Sequence, residues 1–307
     1  MCPTGVLLVV LIGIVRAQNQ EDGPLVCIQD GCLRGRYLEG LSSKRYQAFL
    51  GIPYAKPPVG ELRFRNPQPL DPWTGEYDAS FERSICVQKI YYFLNQPIDG
   101  SEDCLYINVF RPNQEVENGE KPLPVLVYIH GGGYSEGSSS MGEHGPERLM
   151  DSGKVILVLM QYRLGVFGFL STDDHVAPGN FGLKDQAAVL RWVNRNIDRF
   201  GGDPSSVTLM GQSVGAAAVQ MHMMSPLSRD LFSRAISFGG NALGFWNKPR
   251  EDQIGIVREQ ATAVGIASAD QLSSEELVQA LRNVTALELC ESIEKLKFWH
   301  MFPLTQY

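Results

Sequence analysis

No block of lysine and arginine runs through the 307 residues, and the formal net charge of -7 is spread over mixed acidic and basic positions. Binding to nucleic acid or to an anionic membrane surface is therefore not suggested. Beyond the N-terminus no apolar stretch is long enough to cross a bilayer. The six cysteines contain no CxxC spacing and no histidine cluster accompanies them, which argues against a zinc or other metal site. No GxGxxG occurs, and no Gly-Lys-Ser/Thr follows the Gly131-Gly132-Gly133 run, so no nucleotide cofactor is expected. Internal repeats, low-complexity tracts and flexible linkers are absent too, and one domain is the economical reading.

What is present suits a secreted globular chain. With 44% hydrophobic and 20% charged residues, a substantial core can be buried. An apolar run from Val6 to Val15 leads to Arg16 and Ala17, and Val15 with Ala17 supply small residues at the minus-three and minus-one positions of a signal-peptidase site. Residues 1–17 read as a signal peptide and 18–307 as the domain, with extracellular localisation. Five cysteines then remain (Cys27, Cys32, Cys86, Cys104 and Cys290), and in an oxidising compartment most should pair. Asn283-Val284-Thr285 is a glycosylation sequon on Asn283, in keeping with export.

Two short runs around Asp30-Gly31 predict an opening hairpin turning at that dipeptide. Cys27 and Cys32 flank it diagonally, a marginal geometry for a bridge. Proline-rich segments between Ile52 and Pro69 read as extended chain. From residue 123 the pattern changes. Val125 to Ile129 and Val155 to Met160 are continuous apolar runs, as in strands buried on both faces of a parallel sheet. Leu190, Val193, Ile197 and Phe200 recur at helical spacing with Arg191, Asn194, Arg195 and Asp198 between them, predicting an amphipathic helix over 183–200. A strand at Val207 to Met210, a helix at Val214 to Met224 and a strand at Ala235 to Phe238 complete an α/β alternation. The C-terminal part reads as helical, with Ser273 and Glu276 spaced as a capping box.

Gly211-Gln212-Ser213-Val214-Gly215 is a GxSxG sequence, a pattern that arises by chance in roughly one such chain in five. Here it lies between a short apolar strand and a helix of small residues, the context in which a serine is lifted above a sheet edge on a strained turn. The flanking glycines remove side chains that would collide where strand meets helix. Ser213 is accordingly the candidate nucleophile. His130-Gly131-Gly132-Gly133-Tyr134 follows another strand, and glycines there let backbone NH groups approach a developing oxyanion. Gly132, Gly133 and the NH of Val214 are the candidate oxyanion hole.

These two motifs, with Ser101 to Asn108 (SEDCLYIN), Gln161 to Gly168 (QYRLGVFG), Asn180 to Gln186 (NFGLKDQ) and Phe200 to Gly211, resemble the type B carboxylesterase and cholinesterase family from about Leu25 to the last residue. Gln212 looks more like insect esterases of the juvenile hormone esterase type than like cholinesterases. The resemblance implies an α/β-hydrolase fold, with a mostly parallel central sheet flanked by helices. It further implies a small-molecule ester substrate, a Cys86–Cys104 disulfide closing a loop over the mouth of the site, and structural ion pairs Arg63–Glu102 and Arg163–Asp185. The family pattern offers no bridge between Cys27 and Cys32.

A serine needs a general base, which in this fold follows it in the order Ser, acid, His. Only His222 and His300 follow Ser213. His222 lies on the helix after the elbow and is read as a packed or surface residue, and no family motif surrounds His300. The resemblance places both the acid and the base later than Tyr307, so the chain is expected to represent the N-terminal part of such an enzyme, incomplete at its C-terminus. Two further departures are the branched Val214, where the family has a small residue, and Phe238-Gly239-Gly240-Asn241 in place of Gln-Ser-Gly-Ser. A non-catalytic adhesion protein of the same fold and an inactive short product are the competing readings; retention of the serine favours the enzyme.

Overall fold

The computed structural model describes residues 23–89, 97–113, 121–244, 247 and 251–296. The expected signal segment and His300 lie outside the described residues. Antiparallel strands β1 (Leu25–Ile28) and β2 (Gly31–Arg34) turn through Gln29-Asp30, one residue earlier than the expected Asp30-Gly31. That shift sets Cys27 directly opposite Cys32 rather than diagonal to it, and the two form a disulfide. The chain continues through β3 (Arg36–Glu39) and β4 (Arg45–Pro53) into the proline-rich region, which holds a single 3-10 turn at Gly60–Leu62. Short strands β5 (Glu76–Asp78), β6 (Gln88–Lys89) and β7 (Ile98–Asp99) precede β8 (Tyr106–Pro112).

The site-bearing part alternates β9 (Leu123–Ile129), α1 (Glu147–Ser152), β10 (Ile156–Met160), α2 (Gly165–Phe169), α3 (Phe181–Asn196), β11 (Gly202–Gln212), α4 (Val214–Met224) and β12 (Arg234–Phe238). One seven-stranded sheet runs in the order β12-β11-β9-β10-β8-β4-β3. Its first four strands are mutually parallel, as the continuous apolar runs require; β8, β4 and β3 add an antiparallel flank. All five residues of β10 are buried because each face of the strand has its own core. Ile156, Val158 and Met160 pack with Trp192 of α3 and Val219 of α4, whereas Leu157 and Leu159 pack with Tyr46, Phe110 and Met150.

The amphipathic segment read over 183–200 is α3 followed by a 3-10 turn, Ile197–Phe200; its four apolar positions are buried and its four polar ones exposed. Three helices, α5 (Gln253–Ala263), α6 (Ser274–Arg282) and α7 (Ala286–Ser292), form a third core with α2 through Phe167, Val257, Leu277 and Leu289. The Ser273–Glu276 capping box is formed, and a second one joins Thr285 and Glu288 at the start of α7. Each fully buried leucine or phenylalanine contributes about 1.5–3 kcal/mol, so the three cores outweigh any exposed ion pair.

Two bidentate pairs, one buried and one partly buried, are another matter. Arg163 binds Asp185 through two nitrogens at 2.7 Å each, and Arg63 grips Glu102 at 2.5 and 2.7 Å. Both pairs therefore belong to the scaffold. Arg63 Nη1 also donates to the carbonyls of Leu281, Arg282 and Val284, where α6 ends. Cys86 and Cys104 are disulfide-bonded, and Cys290 is a free, buried thiol whose pKa burial pushes up to about 12.

Candidate active site

Ser213 is the single residue between β11 and α4, and it makes the connection at φ 58° and ψ -123°. A non-glycine residue at such angles is strained and persists because its surroundings fix it. Here the Ser213 NH donates to the Phe238 carbonyl at 2.9 Å, while its own carbonyl accepts from Ala216 and Ala217 of α4 at 3.0 and 3.2 Å. The flanking glycines do what the sequence implied. A Cβ at Gly211 would overlap the carbonyl of Gly215, and one at Gly215 the carbonyl of Ile129. Gly240, in the segment that departs from the family pattern, packs so closely on the Ser213 carbonyl that a side chain there would collide with it.

The glycine loop leaves the end of β9, the strand hydrogen-bonded to β11, and lies directly against the elbow: a Cβ on Gly131 would come within 3.1 Å of the Ser213 Cβ. Gly132 and Gly133 both take positive φ, 105° and 63°. In a trans peptide the C=O and the N–H point in opposite directions, so each candidate donor is aimed by whatever binds the carbonyl behind it. The carbonyl behind the Gly132 NH is that of Gly131, which faces His130 Nδ1 at 2.8 Å. A carbonyl can only accept, so Nδ1 carries the proton. Behind the Gly133 NH is the Gly132 carbonyl, which accepts from Ser135 NH at 2.9 Å and Glu136 NH at 3.0 Å. Both donors are thus oriented from the rear.

His130 is fully buried, stacked on Tyr162 with 4.3 Å between centroids, and desolvation lowers its pKa to about 4. It remains neutral near pH 7. Tyr134 closes the loop onto the elbow: its hydroxyl donates to the Val214 carbonyl at 3.1 Å, its ring packs on Phe169, and its own carbonyl accepts from Gly165 NH at 2.7 Å. Val214, the third candidate donor, is buried in the first turn of α4, where the exposed NH groups of the helix end favour negative charge.

His222, read from its position as either packed or surface, is packed on α4. Nδ1 lies 2.9 Å from Ser228 Oγ and Nε2 2.9 Å from Gln186 Oε1, and burial lowers its pKa to about 4. Both ring nitrogens are engaged away from the nucleophile. Among the described residues Ser213 Oγ has no histidine hydrogen-bonded to it, and no group of three or more His, Cys, Asp and Glu could hold a metal ion. Nor is any helix among them long and apolar enough to cross a membrane.

Sequence reading missed the carbonyl pin of His130, the Tyr134 latch and the close approach of Gly240. Nothing in residue spacing announces a contact between Tyr134 and Val214, 80 positions apart. The positive φ implied by consecutive glycines was the available signal that the loop needed fixing from behind.

A family model described as the carboxylesterase family matches residues 22–306. A juvenile hormone esterase of Tribolium castaneum is 46% identical over 284 residues, covering 92% of this chain and 48% of the relative. Esterase FE4 of Myzus persicae is 38% identical over 301 residues, covering 98% and 52%. The crystal structure of juvenile hormone esterase from Manduca sexta, with OTFP covalently attached, superposes with a TM-score of 0.82 at 37% identity, covering 94% of this chain and 54% of that one. The chain spans about half the length of the curated relatives it matches.

Proposed function

The chain belongs to the carboxylesterase family, and from that premise we propose that the protein is a secreted carboxylic ester hydrolase working through an acyl-enzyme on Ser213. The observation that carries the reading is a serine held at positive φ between strand and helix, against a glycine loop whose donor peptides are fixed from behind. In the proposed cycle Ser213 Oγ bonds to the ester carbonyl carbon and gives its proton to a histidine outside the described residues, itself paired with an acid. The carbonyl oxygen becomes an oxyanion held by the NH groups of Gly132, Gly133 and Val214. Collapse expels the alcohol, which takes the proton back, and water then releases the acid from Ser213 by the same steps.

The favoured substrate is a juvenile hormone or a similarly apolar ester, supported by the Tribolium and Manduca relatives' names and by Gln212. Secretion is supported by the Val6–Ala17 pattern and by two disulfides. Asn283 is exposed at the end of α6 and open to a glycan.

The test measures hydrolysis of a panel of esters, juvenile hormone included, by the whole protein and its Ser213→Ala variant. The variant should lose about 10⁴-fold or more in kcat, together with labelling by a fluorophosphonate. Hydrolysis that survives in Ser213→Ala removes the assignment, and selectivity for short-chain over apolar esters removes the substrate.

A further inference from the structure

We propose that Gln88 is a positioning residue for the oxyanion hole, holding the glycine loop in donor geometry from within the loop closed by the Cys86–Cys104 disulfide. The inference rests on the ester hydrolase reading and concerns the same site. Gln88 belongs to β6, two residues after Cys86, and its side chain is buried, only 4% exposed. Its amide is fully directed at backbone. Nε2 donates to the carbonyls of Cys86 and Gly137 at 2.9 Å each, and Oε1 accepts from the Gly137 NH at 2.7 Å. Both polar groups of one residue, Gly137, are thus bound by one side chain, as a neighbouring strand would bind them.

Gly137 is where the glycine loop is propped. It takes φ 105°, and its Cα lies so near the His130 ring and the Gly131 carbonyl that an added Cβ would come within 2.5 and 2.6 Å of them. The Gly131 carbonyl aims the Gly132 NH. The residues between, Ser135 and Glu136, donate to the Gly132 carbonyl, which aims the Gly133 NH. Releasing Gly137 therefore loosens both rear contacts together: it removes the packing against the His130–Gly131 pair and opens the turn that supplies Ser135 and Glu136. A group acting this way alters transition-state stabilisation more than substrate binding, because oxyanion donors matter most once the tetrahedral charge has formed.

In the unsubstituted protein, hydrogen exchange of the Gly137 amide should be slow, as for a bonded core amide; fast exchange there overturns the clasp without any variant. Gln88→Met, which keeps the stem and removes all three hydrogen bonds, should speed exchange of the Ser135, Glu136 and Gly137 amides by about tenfold or more and leave strand residues 125–129 unchanged. With a nitrophenyl ester, kcat should fall roughly 30-fold with KM within about threefold, and affinity for a trifluoromethyl ketone, which adds to serine as an oxyanion, should fall in parallel with kcat. Gln88→Glu, which keeps only the acceptor, should lie between the two. Unchanged exchange, or KM and kcat shifting together with a lowered Tm, sinks the proposal. Failure of the ester hydrolase reading shows separately, as turnover indifferent to Ser213→Ala, and the exchange comparison then decides the role of Gln88 alone.

Discussion

At Ser213 the backbone angles φ 58° and ψ -123° cost a serine of order 1–3 kcal/mol relative to glycine. Ser213→Gly should accordingly raise unfolding stability by about 1 kcal/mol once the added freedom of the unfolded chain is subtracted, whereas Ser213→Ala gains nothing; chemical denaturation of the two variants distinguishes stored strain from an ordinary turn. His130 and His222 make a second residue-scale case. Burial holds both pKa values near 4, against about 6.5 in an unfolded chain. Below pH 6.5 the unfolded state binds protons that the folded state refuses, so the stability these groups allow is complete above that pH and is lost progressively toward 4. Each accounts for about 3 kcal/mol across the window. His222→Gln should flatten the fall in stability between pH 7 and 4.5 measured by urea melts; an unchanged slope would show that its ring is not kept neutral.

Among the elements, the strand–elbow–helix unit was legible because a GxSxG sequence between an apolar strand and a small-residue helix has few other ways to fold. The amphipathic stretch through α3 and its 3-10 turn to Phe200, and the Ser273 cap, were legible for the same local reason. The hairpin register was not: a two-residue turn can sit on Gln29-Asp30 or Asp30-Gly31, and the choice is settled by pairing, which also decides whether Cys27 meets Cys32. Long-range docking was equally hidden. Arg63 joins the 3-10 turn region to Glu102 and to the end of α6, more than 200 positions away. Arg63→Ala would remove both guanidinium hydrogen bonds to the partly buried Glu102 and the donor that the Leu281, Arg282 and Val284 carbonyls share, with an expected loss of about 1–3 kcal/mol. The double variant Arg63→Met with Glu102→Leu should lose less than Arg63→Ala alone, and strict additivity in a double-mutant cycle would contradict the pairing.

At the scale of the whole molecule, β12 is, among the described residues, the outer strand on the parallel side of the sheet, and all five of its residues are exposed, Ile236 at 46% and Phe238 at 70%. An open edge carrying large apolar side chains invites pairing with another chain. Produced as 307 residues alone, the protein should self-associate or precipitate, and Ile236→Lys should shift its sedimentation toward monomer; a stable monomer without that substitution would count against the exposed edge. The two bridges have a different reach. They join residues 5 and 18 positions apart, and both lie before residue 105, whereas the strands that carry the loop and nucleophile lie between 123 and 238. A chain emerging N-terminus first can complete both covalent links before its nucleophile has been synthesised. Cys290 arrives afterwards, so wherever Cys27–Cys32 and Cys86–Cys104 close as they emerge, the last thiol meets four partners already paired with one another.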